Sequence, residues 1–374
     1  MRPVWAEIDL TAIIHNTKIL KGLVSPDTLF MAVVKANGYG HGAYRVAEAA
    51  LAAGADRLGV ATIEEAGQLM SAGIDTPIHI LSEAPPNPED SGAIAENKFI
   101  ATVCRPETAD SLSRAAEDIG QEVVVHVKID TGMNRLGLKD DPAAVVAFLE
   151  HLNRLPAIMP EGIFTHFATA DDPASDFPAR QLDRFMTVVG ELDKRGLCPP
   201  IKHAANSAAI IGFPESHMDM VRAGIAMYGL DPSPAFAGRA EIKPALALKA
   251  RISFVKEVPA GEGISYGLTF KTSRDSRIAT LPLGYADGYS RLLSNKTDVL
   301  VKGQRAVNTG TICMDQFMVD VTEIAGVEPG TEAALIGRDG GASITADEIA
   351  SRLGTINYEV VCMISARVPR VYLT

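Results

Sequence analysis

Eight short apolar segments that alternate with helical segments constrain the fold of this chain more strongly than any other feature of its sequence. In chain order they read MAVV, RLGVAT, PIHILS, FIATVC, EVVVHVKID, EGIFTHFA, IKHAANS and DMVRAGIAMYG. Such runs are typical of buried strands, and the intervening segments, such as residues 44–53, show the apolar spacing of helices. Eight strand–helix units within about 230 residues predict a TIM (β/α)8 barrel. An open doubly wound sheet is disfavoured, because no GxGxxG sequence opens the series.

The character of the sequence changes after Gly229. A segment with three prolines, DPSPAFAGRAEIKPAL, resembles a linker, and β-rich runs such as LALKARISFVKEV, SRIATLPLGYA and TDVLVKGQRAV follow it. Among these runs ADEIASRLG is the one clear helix. We therefore predict a barrel over residues 9–235 and a mostly-β domain over residues 236–374, which the strand at residues 1–8 joins.

The overall charge and the cysteines exclude several classes of protein. The net charge of −11 argues against a nucleic-acid-binding protein, which would need a basic face. The four cysteines are scattered without metal-ligand spacing, which predicts reduced, buried thiols and no metal site. The N-terminus lacks the apolar core of a signal peptide, and no segment reaches transmembrane length. These features predict a cytoplasmic protein that does not bind membranes.

The segment AVVKANGYGHG places Lys35 at the end of the first predicted strand. A lysine that leaves a buried strand is partly stripped of water, which disfavours its ammonium form and favours a Schiff base with an aldehyde cofactor. The three glycines that follow would let backbone approach a bound anion, and Tyr39 could donate a hydrogen bond to it. The ordinary alternative is a lysine that simply reaches solvent.

Further polar side chains follow the other predicted strands. In a TIM barrel the active site lies at the C-terminal ends of the strands. The residues at these ends are Lys128, Arg135, His166, His203, Ser207, Arg222, Gly224 and Ile225. Singly, each has an ordinary structural role, such as a helix N-cap for Ser207. Together they supply cations, a hydroxyl group and glycine backbone at one rim, which suits an anionic cofactor.

These motifs resemble the alanine racemase family. The resemblance extends from WAEIDL to VPRVY and includes GEGISYGLTF, LPLGYADGYSR, GTICMDQFMVD and INYEVVCMISARVPRVY in the family's order. It implies an N-terminal barrel that carries pyridoxal 5'-phosphate (PLP), a C-terminal β domain, and a head-to-tail homodimer. Each active site of such a dimer is completed by the partner's β domain.

The resemblance also implies two catalytic bases. Lys35 would form the Schiff base with PLP and act as one base, and Tyr266 from the other subunit would act on the opposite face. Sequence reasoning alone does not select Tyr266, since a tyrosine between glycines is more often structural. Arg222 would donate a hydrogen bond to the pyridine nitrogen without protonating it fully. His166 would lie between Arg222 and Tyr266 and help to lower the pKa of the tyrosine.

The remaining implied roles concern binding. The phosphate group would be held by Tyr39, Ser207, Gly224, Ile225 and Tyr358. The substrate would be oriented by Arg135 and contacted by Met314 and Asp315 of the partner, and Tyr285 and Tyr358 would narrow the entry channel. Lys128 matches a lysine that is carbamylated in many members of the family. The sequence departs from the family at Thr311, where many relatives have arginine, and we expect this change to affect packing or entry more than chemistry.

The sequence thus predicts an enzyme that interconverts L-alanine and D-alanine and supplies D-alanine for peptidoglycan. A racemase of serine or of broader specificity is the first alternative. A non-catalytic PLP-binding protein and an amino-acid decarboxylase with the same barrel are further alternatives. The fold by itself does not separate these activities.

Overall fold

The computed structural model describes residues 3–374, which form two compact units. The barrel unit comprises Ala12–Gly38 and Ala43–Lys243. The β unit comprises residues 3–11, Tyr39–Gly42 and Pro244–Thr374. The short segment Tyr39–Gly42 thus belongs to a different unit from the residues on either side of it.

The N-terminal strand β1 (Val4–Asp9) belongs to the β unit, and α1 (Leu10–Lys21) follows it. The strands of the barrel unit are β2 (Leu29–Val33), β3 (Arg57–Val60), β4 (Ile78–Ile80), β5 (Ile100–Val103), β6 (Val123–Asp130), β7 (Leu138–Lys139), β8 (Ile158–Phe164), β9 (Ile201–His203) and β10 (Met220–Ala223). The helical segments that alternate with them are α2 (Lys35–Tyr39), α3 (Ala43–Ala52), α4 (Ile63–Ser71), α5 (Pro88–Glu96), α6 (Pro106–Asp118), α7 (Pro142–Leu152), α8 (Phe177–Lys194) and α9 (Ser207–Gly212).

The barrel strands pair in parallel in the order β10-β2-β3-β4-β5-β6-β8-β9, with the short β7 beside β6. Two backbone hydrogen bonds connect the ends of this series: Asp219 N donates to Lys202 O at 3.1 Å, and Arg222 N donates to Ala205 O at 3.0 Å. The predicted TIM barrel is therefore confirmed, and the open sheet is excluded for this part of the chain.

Burial explains why the barrel strands read as continuous apolar runs. All residues of β5 and of β10 are buried, as expected for parallel strands that are covered on both faces. Side-chain caps fix where several helices begin: Thr62 Oγ1 accepts from Glu65 N, and Asn87 Oδ1 accepts from Asp90 N. Pro88 is tolerated at the first helical position of α5, because the N–H that proline lacks would have no partner within the helix there.

The β unit consists mainly of strands. They are β11 (Leu246–Arg251), β12 (Phe254–Val258), β13 (Gly263–Ile264), β14 (Phe270–Lys271), β15 (Ser276–Leu281), β16 (Asp298–Val301), β17 (Gln304–Val307), β18 (Phe317–Asp320), β19 (Glu332–Asp339), β20 (Ala342–Ile344) and β21 (Arg370–Leu373). The main sheet has the order β17-β16-β19-β11-β1-β21, with β20 beside β19. Strand β1 lies between β11, to which it is antiparallel, and the edge strand β21, to which it is parallel.

Two helices lie in the β unit, α10 (Ala346–Leu353) and α11 (Asn357–Cys362). The sequence predicts the first of them and misses the second, which is too short to show a helical period. The cysteine prediction is partly wrong: none of the four forms a disulfide among the described residues, but only Cys104 is buried and Cys362 is exposed. In the described chain no helix has both the length and the apolar character needed to cross a bilayer.

Candidate active site

Lys35 follows the buried end of β2 and is itself partly exposed at the rim of the barrel. It begins α2, a single left-handed turn in which Ala36 and Asn37 both have φ of 52°. Neither is a glycine, and this conformation costs about 1–2 kcal/mol for each such residue. Strain of this kind is concentrated at functional sites.

Hydrogen bonds within the barrel unit hold this turn. Glu65 Oε1 accepts from Ala36 N at 2.6 Å, and Asn37 Oδ1 accepts from Ala43 N at 3.1 Å. Gly38 N donates to Val34 O at 2.8 Å, which ties the turn to the end of the strand. The backbone around Lys35 is therefore fixed before any ligand binds.

Arg222, at the end of β10, is almost completely buried. Its Nη2 donates to Thr165 O at 2.9 Å, to Ala204 O at 2.9 Å and to His166 Nδ1 at 3.0 Å. Burial, and then the charge of Arg135, lower the pKa of Arg222 to about 9, which leaves the guanidinium charged at neutral pH. The rim therefore contains a rigid, charged hydrogen-bond donor.

His166 lies among the cations of the rim. Burial lowers its pKa well below the ordinary value, and the charges of Arg222, Arg135, Lys128 and Lys35 lower it further. His166 is thus neutral, and because Nδ1 accepts from Arg222, its proton must reside on Nε2. The structure brings together four cations that the sequence predicts at one rim.

Lys128 is buried inside the barrel, whereas Arg135 is exposed in the loop that follows the same strand. The Lys128 ammonium donates to Ile129 O at 2.7 Å and lies 5.4 Å from the ring centre of Phe164. Burial, and then the charge of Arg222, lower the pKa of Lys128 to about 7. A substantial fraction of this amine is therefore neutral at physiological pH.

Ser207, Gly224 and Ile225 also meet at the rim. The Ser207 hydroxyl accepts from Gly224 N at 2.9 Å and from Ala226 N at 3.3 Å. The N-cap of α9 is Asn206, whose Oδ1 accepts from Ala209 N at 3.1 Å, so the ordinary interpretation of Ser207 as a cap is wrong. Its hydroxyl instead connects the start of α9 to the backbone of the turn that follows β10.

The other predicted site residues belong to the β unit. The rings of Tyr39 and Tyr358 have their centres 6.4 Å apart. In the same unit a Cβ on Gly40 would lie 2.2 Å from Val361 O. Packing against α11 therefore already requires a glycine at position 40. Close approach of this backbone to an anion stays a prediction.

Tyr266 is 71% exposed and begins a short 3-10 turn that ends at Leu268. Thr311 Oγ1 donates to Tyr266 O at 2.8 Å, and Ser265 Oγ donates to Thr311 O at 2.6 Å. The Thr311 hydroxyl thus holds the backbone of Tyr266 directly, and the expectation that the change at Thr311 affects packing or entry more than chemistry stays a prediction.

Tyr285, Met314 and Asp315 lie together in the β unit. Tyr285 N donates to Cys313 O at 3.1 Å. Asp315 Oδ1 accepts from Arg367 Nη2 at 2.7 Å, a contact that the sequence analysis did not identify. A Cβ on Gly284 would lie 2.1 Å from Cys313 O, so only glycine permits this close packing. These contacts position the segment CMDQ at the surface.

Sequence reasoning missed three side chains in the barrel interior, namely His79, His126 and Glu161. The two histidines are completely buried, and Glu161 is half-buried. The signal that could have found the histidines is a polar residue in the middle of an apolar strand, in PIHILS and in EVVVHVKID. Such residues are costly to bury unless they have hydrogen-bond partners.

The side chains of the rim fit PLP. A primary amine suits the aldehyde, the cations and the Ser207 turn suit the phosphate, and a buried guanidinium suits a basic ring nitrogen. Each of the three reactive or polar groups of PLP thus has a side chain of suitable chemistry at this rim.

The comparisons with known proteins agree with this chemistry. The family model described as "Alanine racemase, N-terminal domain" matches residues 8–232, and that described as "Alanine racemase, C-terminal domain" matches residues 245–372. An alanine racemase of Desulfovibrio desulfuricans is 48% identical over 100% of this chain and 98% of its own.

Solved structures are similar over the whole chain. An alanine racemase of Clostridium difficile 630 superposes with a TM-score of 0.94 at 42% identity, covering 99% of this chain and 96% of its own. A histidine racemase of Leuconostoc mesenteroides has a TM-score of 0.91 at 30% identity, covering 100% of this chain and 98% of its own. The same architecture therefore serves racemases whose named substrates differ.

Proposed function

The chain belongs to the alanine racemase family, and we propose that it interconverts L-alanine and D-alanine at the barrel rim around Lys35. The observation that carries this proposal is the amine of Lys35, which follows a buried strand in a strained turn at the rim that also holds Arg222 and His166. The product D-alanine would serve peptidoglycan synthesis.

The family is PLP-dependent, and this chain has residues to hold the cofactor. Lys35 would bind its aldehyde, Arg222 its ring nitrogen, and Ser207, Gly224 and Ile225 its phosphate, together with Tyr39 and Tyr358. When bound, PLP supplies an electron sink that stabilises the charge left at Cα after the proton is removed.

Lys35 would act as the base on one face of the substrate. Its amine can take the Cα proton and return it on the same side, because the left-handed turn fixes its backbone. Arg222 remains charged and donates hydrogen bonds, but it does not give up its proton at neutral pH. Arg222 would therefore orient the pyridine ring through a hydrogen bond. Because it would not protonate the ring nitrogen fully, the ring would be a weaker electron sink than a protonated pyridinium.

Racemisation requires a second base on the opposite face, since a single base on one face returns the proton to the side it came from. We propose Tyr266 of the partner subunit for this role. The Nε2–H of His166 is free of the Arg222 contact, which uses Nδ1, and could donate a hydrogen bond to the oxygen of this tyrosine.

Large side chains that are exposed on the surface of the β unit support the proposal of a homodimer. The side chains of Tyr266, Leu268 and Met314 are 71%, 58% and 52% exposed. Thr311 and Ser265 anchor the backbone of this segment, so the exposed side chains stand on a fixed surface. Exposed apolar side chains on a rigid surface mark interaction sites. A second copy of the chain is the partner that would use Tyr266.

Substrate contacts are proposed for Arg135, Met314, Asp315 and Tyr285. Arg135 is exposed at the barrel rim, and the other three lie together in the β unit. A racemase of broader specificity is the second candidate, favoured by the similarity to a histidine racemase. The β unit with its exposed tyrosine argues against a non-catalytic protein, and the match of both parts of the chain to alanine racemase family models argues against a decarboxylase.

The direct test follows L-alanine in D2O with PLP-loaded protein. We expect loss of optical rotation together with deuterium at Cα. A panel that includes serine and histidine defines the side-chain range. Retained rotation with every amino acid, despite bound PLP, would refute racemase activity.

We also expect Lys128 to react with carbon dioxide. Its neutral amine would attack the carbon, forming an N–C bond and releasing one proton, and the carbamate would give Arg135 an anionic neighbour. Because the pKa of Lys128 is lowered to about 7, the neutral fraction rises with pH between 6 and 8. The carbamate signal in a 13C NMR spectrum with labelled bicarbonate should rise over the same range.

Replacement of Lys128 by arginine is the matched control for this experiment, because arginine keeps the charge and cannot form the carbamate. The signal must disappear in this variant. Absence of a Lys128-dependent signal at pH 8 would show that the lysine remains unmodified.

A further inference from the structure

The direct partners of Arg222 present a physical problem. Its guanidinium is buried and charged, yet it donates only to backbone carbonyls and to the imidazoles of His166 and His203. Burying an ion without a counter-ion is expensive. Its hydrogen bonds lead through other side chains to the Glu161 carboxylate, which is itself paired with Arg57, and these side chains form a continuous series across the barrel interior.

The series consists of hydrogen bonds that all run in one direction. Arg222 Nη1 donates to His203 Nδ1 at 2.8 Å. His203 Nε2 then donates to His126 Nδ1 at 2.8 Å, and His126 Nε2 donates to Glu161 Oε2 at 2.9 Å. Arginine can only donate and a carboxylate can only accept, so both histidines must be neutral with the proton on Nε2.

The charge states agree with this direction. Burial lowers the pKa of His203 well below its ordinary value, and burial also lowers that of His126. Burial alone would raise the pKa of Glu161, but hydrogen bonds from His126 and Arg57 lower it to about 2. Arg57 Nη2 donates to Glu161 Oε1 at 3.0 Å, which fixes the second carboxylate oxygen.

The backbone of β8 is adapted to this arrangement. Val125 pairs with Pro160 and His126 pairs with Gly162, so Glu161 is the extra residue of a β-bulge. Bulges redirect side chains and are frequent beside active sites. A Cβ on Gly162 would lie 2.3 Å from His126 Nδ1, so the strand contains a glycine where the imidazole needs the space.

A metal site is the other chemistry that three clustered histidines suggest. Nitrogens of His79, His126 and His203 lie within 4.8 Å of one another. However, His126 Nδ1 and His203 Nε2 are 2.8 Å apart, closer than the roughly 3.4 Å between two ligands of a tetrahedral zinc ion. The geometry is that of a hydrogen bond, and His79 packs against the series at 4.5 Å between ring centres.

We propose that His203, His126 and Glu161 are positioning residues that hold the Arg222 guanidinium in place through a series of directed hydrogen bonds across two neutral imidazoles. This inference rests on the proposed function, in which Arg222 faces the ring nitrogen of PLP. None of the three residues needs to touch the substrate. Their effect would reach the reaction through the orientation and charge of Arg222.

Two variants of the holoenzyme test the proposal. Glu161→Gln removes the carboxylate that accepts from His126 and ends the series, and Gly162→Ala places a methyl group where the His126 ring lies. We expect each to lower kcat per bound PLP by about tenfold or more, with KM for L-alanine changed less than about twofold, since hydrogen bonds to charged groups are worth such factors.

Matched controls lie on the surface of α8. Gly190→Ala adds a methyl group in open space, and Glu191→Gln removes a carboxylate that pairs with Lys194 and Arg195. Both should retain wild-type kcat. If Glu161→Gln fails to fold, Gly162→Ala decides, and unchanged kcat in a folded Gly162→Ala variant with a displaced His126 would overturn the proposal.

A second measurement does not depend on activity. In 15N-histidine-labelled protein, with resonances assigned by His126→Asn and His203→Asn, both imidazoles should be neutral with the proton on Nε2 between pH 6 and 8. A protonated ring or the Nδ1–H form at either position would overturn the proposal. If the wild-type protein does not racemise alanine but shows these forms, the proposed function fails and the hydrogen-bonded series stands.

Discussion

Replacing Lys35 by alanine is expected to abolish racemisation and covalent attachment of PLP. The change removes the amine that would bind the aldehyde and the base on one face of the substrate. Loss of a general base alone lowers rates by about 10²–10⁴-fold, so we expect less than about 0.1% of wild-type activity. The measurements are the rate with L-alanine and D-alanine and the mass of the protein after borohydride reduction with PLP.

Lys194→Ala is the control, because this lysine lies on the surface of α8 and pairs only with Glu191. It should keep full activity and bind PLP covalently. If the Lys35→Ala protein still gains the mass of reduced PLP at one position, another lysine is the attachment site. Lys128, whose amine is partly neutral, would then be the first residue to examine.

Replacing Tyr266 by phenylalanine is expected to lower racemisation by about 10²–10⁴-fold while PLP remains attached to Lys35. The hydroxyl that would exchange the proton is lost, and the ring is kept. Because the side chain is 71% exposed, stability should change by no more than about 0.5 kcal/mol. Rates from both isomers and deuterium uptake measure the effect, which we expect to be greatest for proton removal from L-alanine.

Tyr44→Phe is the matched control, since the Tyr44 hydroxyl donates to Glu48 on α3. It should behave as wild type. Normal turnover in the Tyr266→Phe enzyme would remove Tyr266 from the mechanism and leave the second face without an assigned base.

Mixing the two inactive proteins tests whether sites are shared between subunits. After complete subunit exchange half of the dimers contain one chain of each kind, and each such dimer has one intact site. Activity should therefore recover to about one quarter of wild type. No recovery in dimers that are shown to be mixed would place both bases in the same chain.

Much of the fold could be predicted because its signals are local. The apolar runs and helical spacings place all eight barrel strands, with small errors such as β8, which begins at Ile158 rather than at Glu161. The short helix α11 escaped prediction because six residues are too few to show a period. Its backbone nevertheless determines why Gly40 is a glycine.

The residues of the candidate site likewise fall into those that local signals locate and those that they do not. Lys35, Lys128, His166 and Arg222 can be located because barrel topology gathers strand ends at one rim, and the structure brings their charges together around His166. Tyr266 depended on family resemblance, because an exposed tyrosine between glycines has no local signal. The same holds for Thr311, whose contact with Tyr266 O joins residues 45 positions apart.

The barrel, the mostly-β remainder and the chemistry that collects at the strand ends follow from local signals in the sequence, because periodic burial and residue type act over a few neighbouring residues. The left-handed turn after Lys35, the near-neutral amine of Lys128 and the series from Arg222 through His203 and His126 to Glu161 are visible only in the folded chain. Proton positions and buried charges depend on partners that lie far apart along the sequence. Those partners are defined only once the strands have closed around a common interior.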